Sequence, residues 1–332
     1  RRIHGPARGD AADGEWLASG DTNCEIRLWH LPTGQLHHTL TGHSSWVRSL
    51  IFHPTQPQLI SASNDHTLKV WDIATGRCLH TLASHHHWVR DAAFAPDADS
   101  SPMLASADAA GKICLWNSAT WARIGAFKAH DQAVRSLVFS SDGDLFSGSE
   151  DGTLKRWQLD NQSCGQTFVG HRAAVYCVQV SADGDRLISG SADGDIRIWD
   201  VSTGQCLEKL DGHRDAVWSL SLSGDGQRLA SGSADGTIRL WSLATGDDGA
   251  TPALTKYRTL LGHHHWVLAV QFLPEPHSAH QPVLVSGGDD QTVRLWDSAT
   301  GQPLRILQGY TNGIYALTVD AQTGTLISGS QN

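Results

Sequence analysis

Two histidine tracts, His85-His86-His87-Trp88 and His263-His264-His265-Trp266, carry the residues best suited to chemistry on their own. Imidazole suits Zn, Cu or Ni, provided that neutral rings converge on one point. Adjacent residues of an extended chain point to opposite faces, so a tract of three does not converge. No metal is expected. The sequence has no Gly-x-x-x-x-Gly-Lys-Ser/Thr phosphate loop, dinucleotide fingerprint or His-Glu-x-x-His. Ser, His and Asp, the side chains of a hydrolase triad, are present, but they recur in several copies at a common spacing. Copies of one constellation imply structural units rather than one catalytic centre. An enzyme is not expected, nor are catalytic residues or a cofactor.

Composition narrows the remaining classes. The 332 residues are 40% hydrophobic and 18% charged, and 25 Lys+Arg against 34 Asp+Glu leave a net charge of −9. That balance fits a soluble globular protein and disfavours wholesale binding to nucleic acid or anionic lipid. No apolar run approaches the roughly 18 residues that span a bilayer, and Arg1-Arg2-Ile3-His4-Gly5-Pro6 has no signal-peptide core. Six cysteines lack Cys-x-x-Cys pairing. They read as free thiols in a reducing compartment, and the expected location is cytoplasmic.

The elements that position these residues follow from a repeat. Thirteen Trp and 33 Gly call for a search for periodicity. Trp29, Trp71, Trp116, Trp157, Trp199, Trp241 and Trp296 end similar runs, and subtraction gives spacings of 42, 45, 41, 42, 42 and 55. Within one copy, Val175 to Val180, Arg186 to Ser189, Ile196 to Trp199 and Cys206 to Leu210 read as strands. Asp183-Gly184, Asp193-Gly194 and Thr203-Gly204 supply the turns. Seven four-stranded units predict an all-β protein: a seven-bladed β-propeller of four-stranded antiparallel blades. The expected organisation is an N-terminal tail or linker over 1–14 and the propeller over 15–332, with a longer parent protein as the alternative.

Gly42-His43, Gly170-His171, Gly212-His213 and Gly262-His263 precede the repeat's Trp, and Trp71-Asp72, Trp199-Asp200 and Trp296-Asp297 close three copies. On these motifs the chain resembles the WD-repeat β-propeller family, and its near-identical copies look similar to bacterial arrays. The resemblance implies a buried hydrogen-bond chain of His, Ser, Asp and Trp in each blade. By position, two of these chains are His43, Ser61, Asp65 and Trp71, then His130, Ser147, Asp151 and Trp157. A third is His171, Ser189, Asp193 and Trp199. The last two are His213, Ser231, Asp235 and Trp241, then His263, Ser286, Asp290 and Trp296. A buried carboxylate needs such partners.

Two units depart from the pattern. After His85 the Asp position holds Ala110, with Asp108 two residues away and its role open. The last unit has Tyr310 in place of His, and Asn23 and Asn332 stand at Asp positions. Residues 15–19 and 325–328 both read as a second strand of the closing blade. The N-terminal copy, contiguous with its third strand, is expected to prevail and leave 325–332 displaced or exchanged. Insertions at 95–102, 246–256 and 274–282 are expected on the face opposite the Gly-His loops.

The resemblance also implies a docking platform for proteins or peptides, attached to a signalling module as its sensor or regulatory domain. A passive assembly scaffold and a nucleic-acid surface are the alternatives. Family partners are met by residues three and five positions after the His and by the residue before the blade Asp. The first set maps to Trp46, Trp88, Ala133, Ala174, Ala216, Trp266 and Gly313. The second maps to Arg48, Arg90, Arg135, Tyr176, Trp218, Leu268 and Tyr315, and the third has Asn64, Glu150 and Asp289 as polar members. Arginines on one side and aromatics on the other predict binding of an acidic or C-terminal peptide segment. The alternative is that the tryptophans cover neighbouring blades while Glu150 or Asp289 pairs with the arginines.

Overall fold

The computed structural model describes residues 16–20, 24–30, 35–96, 102–243, 255–272, 283–307, 313–314, 316–319 and 326–329. Every regular element among them is a β-strand. Six antiparallel four-stranded meanders follow one another: blade 1 over 47–82, blade 2 over 89–128, blade 3 over 134–169, blade 4 over 175–210, blade 5 over 217–260 and blade 6 over 267–307. Their first strands lie side by side, and Ala316–Val319 sits between those of blades 6 and 1, which closes a ring of seven inner strands. The protein is a seven-bladed β-propeller.

Burial along a blade follows from this radial stacking. Second strands such as Leu187 to Ser191 are buried on both faces, because a blade packs against each. Outer strands such as Cys78–Leu82 are exposed apart from the final Leu. The core therefore lies between blades. Ile60, Leu68 and Val70 of blade 1 meet Val89, Leu104, Trp116 and Trp121 of blade 2, and the same pattern repeats around the ring.

Asp-Gly turns hold the central hairpins. Gly194 has φ +82°, and the equivalent turn positions in blades 1 and 6 place His66 at +72° and Gln291 at +64°. A side chain with a Cβ is strained there. Cys78, Cys114, Cys164, Cys177 and Cys206 form no disulfide.

The closing blade corrects one expectation. Trp16–Gly20 pairs with Glu25–His30, which pairs with Gln35–Thr41, while Leu326–Gly329 pairs with Ala316–Val319. Both second-strand copies are kept, and Leu326–Gly329 is not displaced; Trp16–Gly20 lies beside it. Each copy stays with the strand that is its neighbour in sequence, where loop closure costs least. The seventh blade is thus a three-stranded and a two-stranded sheet set edge to edge. Ile26, Leu28 and Leu40 of the first pack on Leu59 and Trp71 of blade 1. Asn23, Tyr310, Asn332 and the core of all three insertions (97–101, 244–254 and 273–282) lie outside the described residues, and the Trp29 side chain is likewise not described.

Candidate functional site

Among the described residues six hydrogen-bond chains run through blades 1 to 6, five of them along the residues mapped above. In blade 1 the Trp71 indole N–H donates to Ser61 Oγ at 2.8 Å. Ser61 Oγ is 2.7 Å from His43 Nε2, and His43 Nδ1 is 2.6 Å from Asp65 Oδ2. One proton arrangement satisfies every group: the Ser hydroxyl donates to Nε2, and Nδ1–H donates to the carboxylate.

The other serines hold the same central place. In blade 3, Ser147 Oγ accepts the Trp157 indole N–H at 2.8 Å and lies 2.7 Å from His130, whose Nδ1 is 2.9 Å from Asp151. In blade 4, Ser189 links Trp199 at 2.9 Å to His171 at 2.7 Å, and Asp193 follows at 3.1 Å. In blade 5, Ser231 links Trp241 at 2.9 Å to His213 at 2.8 Å, with Asp235 at 3.0 Å. Ser231 departs from its counterparts in one respect: its hydroxyl also lies 3.4 Å from the Arg239 carbonyl. In blade 6, Ser286 links Trp296 at 2.8 Å to His263 at 2.7 Å, with Asp290 at 2.9 Å.

Burial alone would raise the pKa of Asp65, but hydrogen bonds from His43, Thr67 and the Ser44 N–H outweigh it. They hold the carboxyl well below the usual range. Asp151, Asp193, Asp235 and Asp290 behave alike. A Ser–His–Asp line at such distances matches a hydrolase triad in outline. Yet Ser61, Ser147, Ser189, Ser231 and Ser286 are all fully buried, and each oxygen already accepts an indole N–H. Every one of these oxygens is already committed to a Trp and a His of its own blade, so these serines hold the blades.

Blade 2 resolves the open position. Asp108, buried at the strand end, reaches His85 Nδ1 at 2.7 Å, and the chain continues through Ser106 and Trp116 at 2.8 and 2.9 Å. Its second oxygen accepts the Ala110 and Lys112 N–H groups. The carboxylate comes from the position that holds Ser63, Ser149, Ser191 and Ser233 in other blades, yet performs the blade Asp's work. His85 and His263 are thereby committed within their blades, while His86, His87, His264 and His265 are exposed. Among the described residues no three His, Cys, Asp or Glu are placed to hold a metal ion.

The mapped residues five positions after the His share a backbone device in blades 1 to 6. Each inner strand slips register against its neighbour at one residue: Arg48, Arg90, Arg135, Tyr176, Trp218 and Leu268 in blades 1 to 6. A bulge turns its extra residue out of the ladder and re-aims the side chain. These bulges fall at the second residue of each inner strand and line one mouth of the ring.

Arg48 lies 4.8 Å over Trp46, and its Nε–H donates to Asn64 Oδ1 at 3.0 Å. Arg90 lies 5.0 Å over Trp88. Arg135 lies 5.2 Å over Tyr176, and its Nε–H donates to Glu150 at 2.5 Å. Tyr176 stacks on Trp218 at 4.4 Å and 11°, and Trp218 stacks on Trp266 at 6.1 Å and 26°. A strip of cations and rings thus runs across blades 1 to 6. Trp46, Trp88 and Trp266 stay 41–47% exposed, so they cover little of the neighbouring blades.

Other mapped positions do different work. Leu268 is buried, Asp289 pairs with His265 at 2.7 Å rather than with an arginine, and Tyr315 lies outside the described residues. Burial, reinforced by the like charges of Arg135 and Arg48, pulls the Arg90 guanidinium down to about 10.

One inner-strand group was not singled out from sequence. Asp91 follows Arg90 and bridges three blades: it accepts the Ser49 hydroxyl of blade 1 at 3.0 Å and the Leu137 N–H of blade 3 at 2.9 Å. Desolvation pushes it up to about 6 against those bonds. The only signal was a charge where other blades carry Ser49, Ser136, Cys177, Ser219 and Ala269.

Comparison with known proteins agrees with this architecture. The family model described as "WD domain, G-beta repeat" matches residues 34–72, 76–117, 121–158, 162–200, 204–242 and 254–297. The chain belongs to the WD-repeat family. Similar segments occur in the nuclear distribution protein nudF 2 of Talaromyces marneffei, 47% identical over 53 residues, and nudF of Aspergillus terreus, 40% over 57. Nuclear distribution protein PAC1 of Coccidioides posadasii is 39% identical over 57 residues. These matches cover 16–17% of this chain and 12–13% of each relative. They amount to little more than one WD repeat's length.

Proposed function

We propose that this WD-repeat propeller is a non-catalytic platform that binds a protein or peptide segment at the bulge-lined mouth. The observation that carries the reading is the strip itself: three arginines on consecutive blades, continued by three stacked aromatics, all presented by the ring's inner strands and the loops that lead into them. Arginine and aromatic side chains supply most hot-spot energy at interfaces. Guanidinium groups beside rings suit an acidic or C-terminal segment, its carboxylate toward Arg48, Arg90 and Arg135 and its apolar side chains toward Tyr176, Trp218 and Trp266. A rigid ring offering such a face fits the sensor or regulatory part of a larger signalling protein. Five cysteines without disulfides, Cys78, Cys114, Cys164, Cys177 and Cys206, fit a reducing, cytoplasmic setting.

The test is selection from a displayed library of random heptapeptides with free C-termini, followed by titration calorimetry. The reading expects binders that lose at least tenfold in affinity to the Arg48→Ala/Arg90→Ala double variant. Equal binding by the double variant, or no binder at all, contradicts it.

A further inference from the structure

The three arginines are not equivalent, and the difference narrows the ligand. Arg48 Nε is engaged by Asn64 and Arg135 Nε by Glu150. Arg90 Nε is shielded from solvent and has no hydrogen-bond partner, although its guanidinium sits between two other cations. On the aromatic side, the Trp218 indole N–H is also shielded and without a partner, while both faces of its ring are occupied by Tyr176 and Trp266.

A shielded donor left unmade costs more than a bond gains, so these two N–H groups are where a ligand recovers most. The tryptophans of the blade chains make the contrast clear: in blades 1 to 6 each indole N–H is spent on a Ser oxygen.

We infer that the mouth reads two acceptors on one segment: a single carboxylate at Arg90 and an uncharged carbonyl oxygen at Trp218, with the Arg135–Tyr176 pair lying between them. Arg48 and Arg135 act as positioning residues. Their engaged Nε groups and their rings hold the strip in place, and their charges favour an anion at Arg90. A run of acidic residues would have to displace Glu150 from Arg135 for no gain. A peptide with one anionic group in an otherwise neutral stretch fits better. That group is either the C-terminal carboxylate or one Asp or Glu side chain.

This inference rests on the mouth being the peptide site, and the experiment separates the two. The probe is the tightest heptapeptide from the selection above, used on the full chain. Arg90→Gln is expected to weaken it tenfold or more, and Trp218→Phe, which keeps the stacked ring and removes only the N–H, about fivefold. Arg48→Gln and Arg135→Gln should each weaken it less than threefold. Amidating the peptide C-terminus, or changing its one acidic residue to the amide, identifies the carboxylate: one of the two should match the loss seen with Arg90→Gln. If Trp218→Phe binds like wild type, or Arg48→Gln loses as much as Arg90→Gln, the two-point reading fails while the platform stands. If none of the four variants changes affinity, the platform reading fails as well. The aromatic signals of Tyr176 and Trp266 in an NMR spectrum of Trp218→Phe check that the stack is intact.

Discussion

The blade chains and the mouth bulges recur with the same period but have opposite chemistry. In blades 1 to 6 the His, Ser, Asp and Trp of the chains repeat almost unchanged, and every donor in them meets an acceptor. The bulge position repeats as geometry only. Its side chains change from Arg to Tyr to Trp to Leu, and Arg90 and Trp218 leave donors open. Blades of one design need one solution for burying polar groups, so in blades 1 to 6 that solution is copied. A partner without sevenfold symmetry needs unlike groups, so the recognition position diverges. Sameness among repeats marks what holds the fold, and divergence at a fixed backbone position marks what the fold presents.

The largest effect should come from breaking a chain. Asp193→Ala leaves the buried His171 without its acceptor and should cost about 3 kcal/mol in urea unfolding. Asp108→Ala should cost a similar amount. Combining Ala110→Asp with Asp108→Ser instead restores the arrangement of the other blades, and the double variant should recover most of the loss. If it does not recover, blade 2 depends on its own geometry rather than on a shared constellation.

Acidity distinguishes the two regions next. The chain aspartates have lowered pKa values, so their contribution is present above about pH 4 and is lost as pH falls further. Asp91, raised to about 6, acts in the other direction. The folded state holds its proton more tightly, so stability rises as pH drops from about 6 toward 4, and the carboxylate is a burden above 6. The combined contribution of these groups should therefore be largest near about pH 4. Asp91→Ser, the residue found at this position in blades 1, 3 and 5, should gain on the order of 1 kcal/mol at pH 8 and almost nothing at pH 4. Thermal unfolding at both pH values checks this, and an equal gain at each would show that ionisation is not the cause.

The smallest effect concerns the turns. His66→Gly relieves a left-handed residue and should raise stability by about 0.5–1 kcal/mol in urea unfolding. Gly194→Ala in the equivalent turn should lower it by a similar amount.

The blades were legible in sequence because burial forces a pattern on neighbouring residues. Trp29 to Trp296 mark the third strands, and the Asp-Gly pairs mark the turns. Ser147, Ser231 and Ser286 were placed in their chains by the resemblance to the WD-repeat family, each standing ten residues before its Trp, as Ser61 and Ser189 do. What spacing did not show is how completely they are enclosed, or that Ser231 reaches the Arg239 carbonyl as well. Asp108 was undecided because the choice depends on which side chain can swing toward His85 at a strand end, and spacing does not carry that. Closure was misjudged because both hairpins at the seam have the same local advantage, and room for both is a property of the ring. The open donors of Arg90 and Trp218 and the bridge at Asp91 depend on the partners of individual atoms across two or three blades.

The most direct test of this division measures stability and peptide affinity on the same two variants. Arg90→Gln should lose at least tenfold in affinity for the selected heptapeptide while its unfolding free energy stays within about 0.5 kcal/mol of wild type. Asp193→Ala should lose about 3 kcal/mol of stability and, where still folded, bind the peptide within about twofold of wild type. An Arg90→Gln protein that unfolds as easily as Asp193→Ala, or binds as tightly as wild type, would contradict the account.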